Sequence, residues 1–144
     1  MTDVVENQDV KKARYRDFSK QPKGDFMLQE FNSVDEIYFF MDQMFQDGFD
    51  EHHISLALNI FLRDAAFFDE DDLANPTFQE FLRDLGRNMI TLQDEKTYVK
   101  VAQFLDWYCI DDRLLWVNLE QFILKKERIF SFQSYIKILS HFAN

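Results

Sequence analysis

The sequence predicts an all-α fold: about six helices as three stacked antiparallel helical hairpins, α-solenoid-like, behind an extended N-terminal arm. Three observations point there. Thr97-Tyr98-Val99-Lys100-Val101 returns 37 residues later as Ser134-Tyr135-Ile136-Lys137-Ile138, and a fixed period of this length marks stacked helical hairpins. The same offset sets Phe78, Leu82 and Leu85 against Leu115, Leu119 and Phe122, and Ala102 and Leu105 against Leu139 and Phe142. Three Gly and two Pro in 144 residues are too few for the many tight turns of an all-β design. The competing reading is a plain six-helix globule whose internal likeness comes only from the amphipathic period.

Residues 1–32 are read as the arm and 33–144 as the helical-repeat domain. Residues 1–24 have no apolar period and hold six Lys or Arg against four Asp or Glu. They are expected to be extended, with a short helix near 10–17. Either they form a disordered tail, or they lie on a partner's acidic surface, pinned by Tyr15 and Phe18. Bases interleaved with aromatics also suit single-stranded nucleic acid. Phe26, Met27, Leu28 and Phe31 form a short lead-in.

Ser33 opens the first helix, 34–47, with Glu36 completing a capping box. Its apolar face is Val34, Ile37, Tyr38, Met41, Met44 and Phe45, and Gly48 stops it. Asp50 caps the second helix, 51–67, which is apolar on much of its circumference and so belongs between neighbours. Asp69-Glu70-Asp71-Asp72 is read as an acidic loop. Asn75-Pro76 starts the third helix, Asn as cap and Pro where its missing donor is harmless. That helix carries Phe78, Phe81, Leu82, Leu85, Met89 and Ile90, and Gly86 in its middle suggests a close helix–helix approach. Asp94 caps the fourth helix, 95–109; Asp111 or Asp112 the fifth, 113–126; Ser131 the sixth, 132–142. The first hairpin joins the register at a longer step of 44 residues, pairing Ile54, Ala57 and Phe61 with Tyr98, Val101 and Leu105. The acidic stretch at 68–74 accounts for the extra seven.

Composition narrows function. The formal charge is −10, and beyond residue 24 ten bases face 22 acids. Such a body repels phosphate at long range, which counts against nucleic acid as the default partner. The 17 Phe, five Tyr and two Trp either fill a Phe-rich core or leave some rings as a contact surface for another chain, since aromatics are enriched at interfaces. A single cysteine, Cys109, suits a reducing compartment and is expected to be a buried structural thiol. No apolar run approaches the ~20 residues of a membrane span. The acidic start MTDVVENQD resembles neither a secretory signal nor a mitochondrial presequence.

No residue set reads as catalytic, cofactor-binding or metal-binding. Adjacent His52 and His53 diverge on a helix and cannot share an ion as an i, i+4 pair does. Asp69 to Asp72 lacks the alternating ligands and central Gly of a calcium loop. Glu36 and Glu51 are explained as helix-start carboxylates, and His141 as a helix C-terminal charge partner or packing residue.

Leu114-Leu115-Trp116-x-x-Leu119-Glu120-x-x-Ile123, followed by Ser131-x-x-Ser134-Tyr135-x-x-Ile138-Leu139-x-x-Phe142-Ala143-Asn144, resembles the α-helical repeats of octotricopeptide and heptatricopeptide type. It is similar also to the leucine-rich helical region of the FAST-kinase-like mitochondrial proteins. The resemblance is best over 94–144 and looser over 34–144. It implies an organellar setting, the mitochondrion first and the cytoplasm as alternative; such families typically bind RNA. This chain departs from them in its few repeats and acidic body, and no RNA-contact residue is carried over.

The expected function is therefore a non-catalytic protein–protein interaction module, a small accessory or structural subunit of a larger assembly, respiratory or ribosomal. Its partners are other protein subunits, and the contact residues expected are Tyr15, Arg16 and Phe18 on the arm and Trp116 on the outer face of the fifth helix. Packing of Trp116 within the domain is the competing placement. The alternative function is an RNA-binding helical-repeat module, which requires Lys96, Lys100, Lys125, Lys126, Arg128 and Lys137 to gather on one face.

Overall fold

The Ser33 hydroxyl accepts the Glu36 N–H at 3.3 Å, and with that donor satisfied the chain enters α1, Val34–Gln46. The computed structural model describes residues 30–126 and 130–143, so the region 1–29, with its expected short helix, lies outside the described residues. The Glu36 carboxylate reaches back past Ser33 to accept the Asn32 N–H at 2.7 Å, one residue earlier than a standard capping box. That bond helps fix the approach to α1, where the Phe31 ring is buried against Phe40.

Each later helix has a side-chain cap. Asp50 accepts the His53 N–H and starts α2, Glu51–Arg63. Asn75 starts α4, Pro76–Asn88. Asp94 starts α5, Glu95–Trp107; Asp112 starts α6, Arg113–Lys125; Ser131 starts α7, Phe132–Phe142. Between α2 and α4 the acidic stretch is a turn of helix, α3, Glu70–Leu73, closed by a reciprocal box between Asp69 and Asp72. The described residues thus form seven α-helices and two 3₁₀ turns, all helical and without a strand. The count exceeds the expected six because the acidic loop folds. Carboxylates gathered at a helix start are stabilised by its free N–H groups, so the pattern Asp69-x-x-Asp72 was itself a start signal.

Two helices end earlier than their apolar pattern suggests. α2 stops at Arg63, and Ala65–Phe67 tightens into a 3₁₀ turn. This lets Phe68, in extended backbone, turn its ring onto Tyr38, Phe61 and Tyr108. α5 stops at Trp107. There the Ile110 N–H bonds Leu105 O at 2.9 Å and the Cys109 N–H bonds Asp106 O at 3.1 Å, the paired bonds of a Schellman stop. The motif needs a left-handed residue, and Cys109 supplies it at φ 51° where Gly is usual. Cys109 is therefore exposed, not the buried thiol its isolation suggested.

The most extensive helix contacts run between α2 and α5 and between α5 and α7. The second helix of each predicted hairpin thus lies beside the next. α1 packs on α2 and α4, and α6 packs on α5 and on the 3₁₀ turn Met89–Thr91 that follows α4. A Cβ placed on Gly86 would stand 3.0 Å from Leu115 Cδ2, so the glycine lets α4 and α6 meet closely. The core is continuous from Phe31 to Ile138. Its centre is aromatic: Phe61, Phe78, Phe81, Phe104 and Tyr108. No helix among the described residues is long and apolar enough to cross a membrane.

Candidate protein-interaction surface

How adjacent second helices are fixed decides which faces remain free. The Glu51 carboxylate, in the first turn of α2, accepts the N–H groups of Gln93 and Asp94, both at 2.8 Å. Further along α2, Ser55 accepts from Lys100 Nζ of α5 at 3.0 Å. Between α5 and α7 the arrangement recurs. Glu95, in the first turn of α5, accepts the Ser131 N–H at 2.6 Å, and Asp106, eleven residues on, pairs with His141 at 2.7 Å. Asp94 and Ser131 are the caps of the helices being held. A carboxylate accepting backbone N–H groups makes the stronger, charge-assisted kind of hydrogen bond. Glu95→Ala should destabilise the fold by about 1 kcal/mol in urea denaturation, the usual net worth of such a bond at a part-exposed site. An unchanged midpoint would mean that the Ser131 N–H is served equally well by water.

Positions 95, 99, 102 and 106 lie on one helical face by the 3–4 period, and its two ends touch the α7 segment. In α7 the buried residues are Ser134 and Ile138, with Tyr135, His141 and Phe142 half-buried. The residues 37 positions after Glu95, Val99 and Ala102 are Phe132, Ile136 and Leu139, which are 79%, 51% and 59% exposed. Val99 is half-buried and Ala102 fully buried, so the stripe that α7 helps cover on α5 stands open on α7. The apolar positions of α7 occupy two faces, and the 37-residue register set Leu139 against Ala102 although Ala102 is fully buried and Leu139 is not; Phe142, set against Leu105, does pack on the core. Apolar residues on both sides of a terminal helix were the available signal.

Of the expected contact residues, Tyr15, Arg16 and Phe18 lie outside the described residues. Trp116 is half-buried: its indole N–H donates to Ile110 O at 2.9 Å and its ring meets Phe142 edge-on, centroids 5.1 Å apart. It forms the wall of an open groove of about 530 Å³ between α5, α6 and α7, also lined by Leu105, Asp106, Cys109, His141 and Phe142. The structure brings Trp116 to the α7 side of the molecule but not onto the Phe132 stripe. Exposed rings that sequence reasoning did not single out are Phe39, Phe67, Trp107 and Phe132.

Electrostatics and chemistry are quiet elsewhere. His53 Nδ1 pairs with Asp50 at 2.7 Å. The Asp50 pKa is lowered, chiefly because its carboxylate accepts the His53 N–H. No group of three or more His, Cys, Asp or Glu among the described residues is placed to hold a metal ion, so Asp106, Cys109 and His141 share a groove without forming such a site. Of the bases the RNA alternative requires, Lys100 is bonded to Ser55 and burial lowers its pKa. Lys126 donates to the carbonyls of Ile90 and Leu92, and Arg128 lies outside the described residues. Comparison with known families, curated proteins and solved structures returns no match to this chain.

Proposed function

We propose that this chain is a non-catalytic protein–protein interaction module, a small helical-repeat accessory subunit of a larger assembly. The observation that carries the proposal is the exposed apolar stripe Phe132, Ile136 and Leu139 on α7, because exposed apolar surface gathered on one helix face marks a contact site. The repeat reading is supported by the equivalent roles of Glu51 and Glu95, which lie 44 residues apart and serve the caps of successive helices. The assembly proposed is respiratory or ribosomal, and the mitochondrion is the setting that the family resemblance suggests. RNA binding remains the second function considered; it gains no support from Lys100 and Lys126, whose ammonium groups are engaged inside the fold.

The proposal assigns partner contact to the arm through Tyr15, Arg16 and Phe18, whose basic surroundings oppose the acidic body in sign. Deletion of residues 1–24 should weaken association with the co-purifying complex at least tenfold while moving the melting temperature little. Quantitative native pull-down with mass spectrometry, beside a thermal melt of the free protein, checks this. An association constant unchanged by the deletion removes the arm from the interface.

A further inference from the structure

We infer that the open face of α7 is a self-association surface, pairing side by side with α7 of a second copy of this chain. The inference deepens the interaction-module reading and rests on it. Phe132, Ile136, Leu139 and Ala143 are all exposed and follow one another at spacings of four, three and four residues. That is the alternation of core positions in a coiled-coil seam. The positions flanking such a seam are Gln133, Tyr135, Ser140 and Phe142, none of them charged. Flanking charges choose a partner of opposite sign and repel like copies. Here they do neither, so no charge on the flanks of the seam opposes pairing with its own copy. Lys137 is exposed but lies off these flanks.

The replacement at position 132 points the same way. Glu51 and Glu95 hold the backbone of the next helix start. The corresponding residue of α7, one 37-residue step beyond Glu95, is Phe132. A phenyl ring cannot accept those N–H bonds, so α7 lacks the carboxylate with which α2 and α5 hold a neighbouring helix start. It offers an apolar anchor instead. One patch facing itself gives a closed two-fold pair, the commonest symmetry of oligomers. The three large side chains expose on the order of 350 Å² together, so two copies bring roughly 700 Å² of apolar stripe into contact before flanking residues are counted. This is below the ~1,200 Å² of a small standard interface, so the pairing is expected to be weak and reversible.

Sedimentation velocity on the full chain, from ~2 to ~300 µM, tests the inference. The expected result is a weight-average mass rising from the 17.4 kDa monomer towards twice that value. Phe132→Glu and, separately, Leu139→Ser should weaken self-association at least tenfold with unaltered thermal melts, because both residues are exposed. Salt gives an independent reading. Residues 30–112 hold five bases and 19 acids, whereas residues 113–144 hold five bases and two acids, so docking of the basic end on a second copy's acidic body would weaken as salt rises. Pairing through the uncharged seam of two net-acidic copies should hold or strengthen. A monomer at every concentration overturns the inference. So does dimerisation untouched by either variant, dimerisation lost at high salt, or a mass increase that requires added RNA. Partner capture that depends on the arm but persists in a monomeric Phe132→Glu protein keeps the interaction-module reading separate from this one.

Discussion

Phe61→Ala should lower the unfolding free energy by about 4 kcal/mol, within the ~3–5 kcal/mol that truncation of a buried aromatic costs. Phe61 has no solvent exposure. Its ring centroid lies 5.4 Å from Phe68, 5.5 Å from Phe78, 5.3 Å from Phe81, 5.1 Å from Phe104 and 5.6 Å from Tyr108. These rings come from α4, α5 and the segments that follow α2 and α5, so a void at Phe61 is shared by elements that cannot all close on it. The hydrogen bond that the Tyr108 hydroxyl donates to the backbone Phe61 O, 2.6 Å long, involves no side-chain atom of Phe61 and is available to the variant. Phe61→Leu, which retains most of the volume, should lose only ~1–2 kcal/mol. Urea denaturation of the three proteins checks the order. A loss below about 1.5 kcal/mol for Phe61→Ala would show that the aromatic centre repacks freely.

Tyr98 is the second position of large effect. It too has no exposure, and its hydroxyl lies 2.9 Å from both Met89 O and Leu92 O. These carbonyls belong to the 3₁₀ turn Met89–Thr91 and the residue that ends it. Lys126 reaches the same turn, with its Nζ 5.6 Å from the Tyr98 ring centroid, and Phe130 packs on the ring from the segment before α7. One side chain therefore joins the end of α4, α5, the end of α6 and the approach to α7. Tyr98→Ala should cost about 4 kcal/mol. Tyr98→Phe keeps the packing and removes only the hydroxyl, for about 1 kcal/mol, because Met89 O keeps the Leu92 N–H and Leu92 O keeps Lys126. Equal losses in the two variants would show that the ring contributes nothing beyond its hydroxyl.

The hydroxyl also gives Tyr98 a pH signature. Burial, aided by the negative charge of Glu51, pushes its pKa up to about 12. Because the folded pKa lies above the unfolded one, its contribution to stability is fully present below about pH 10. It is lost as pH rises from there through about 12. Tyr98→Phe should flatten this part of the alkaline stability loss. Tyr38 and Tyr108, whose pKa values burial also raises, keep the remainder.

What could be read in the chain and what could not divide by the range of the forces involved. Ser33, Asp50, Asn75, Asp94, Asp112 and Ser131 all cap helices, because a side-chain oxygen meets an N–H two or three residues away whatever the rest of the molecule does. Gly86 signalled a close approach through its cost in mid-helix, and the neighbour is Leu115. The early ends of α2 and α5 were not legible, since Ala65 to Phe67 and Tyr108 fit a continuing helix. α2 gives way where the chain turns Phe68 onto rings from other elements, and α5 stops in a left-handed cysteine that the bonds of Ile110 and Cys109 enclose.

The candidate surface shows the same division. The 3–4 spacing in α7 determined that Ile138 and Phe132 fall on different faces; it carried no information on which face a neighbour would take. By itself the sequence determined the helical class, the caps and the presence of apolar stripes, because these depend on contacts within a few residues along one chain. The tertiary structure alone decided that Trp116 turns in towards Phe142 and that Phe132, Ile136 and Leu139 stay in water. An apolar side chain gains equally from any surface that removes it from water, so only the placement of whole helices settles which stripe is covered.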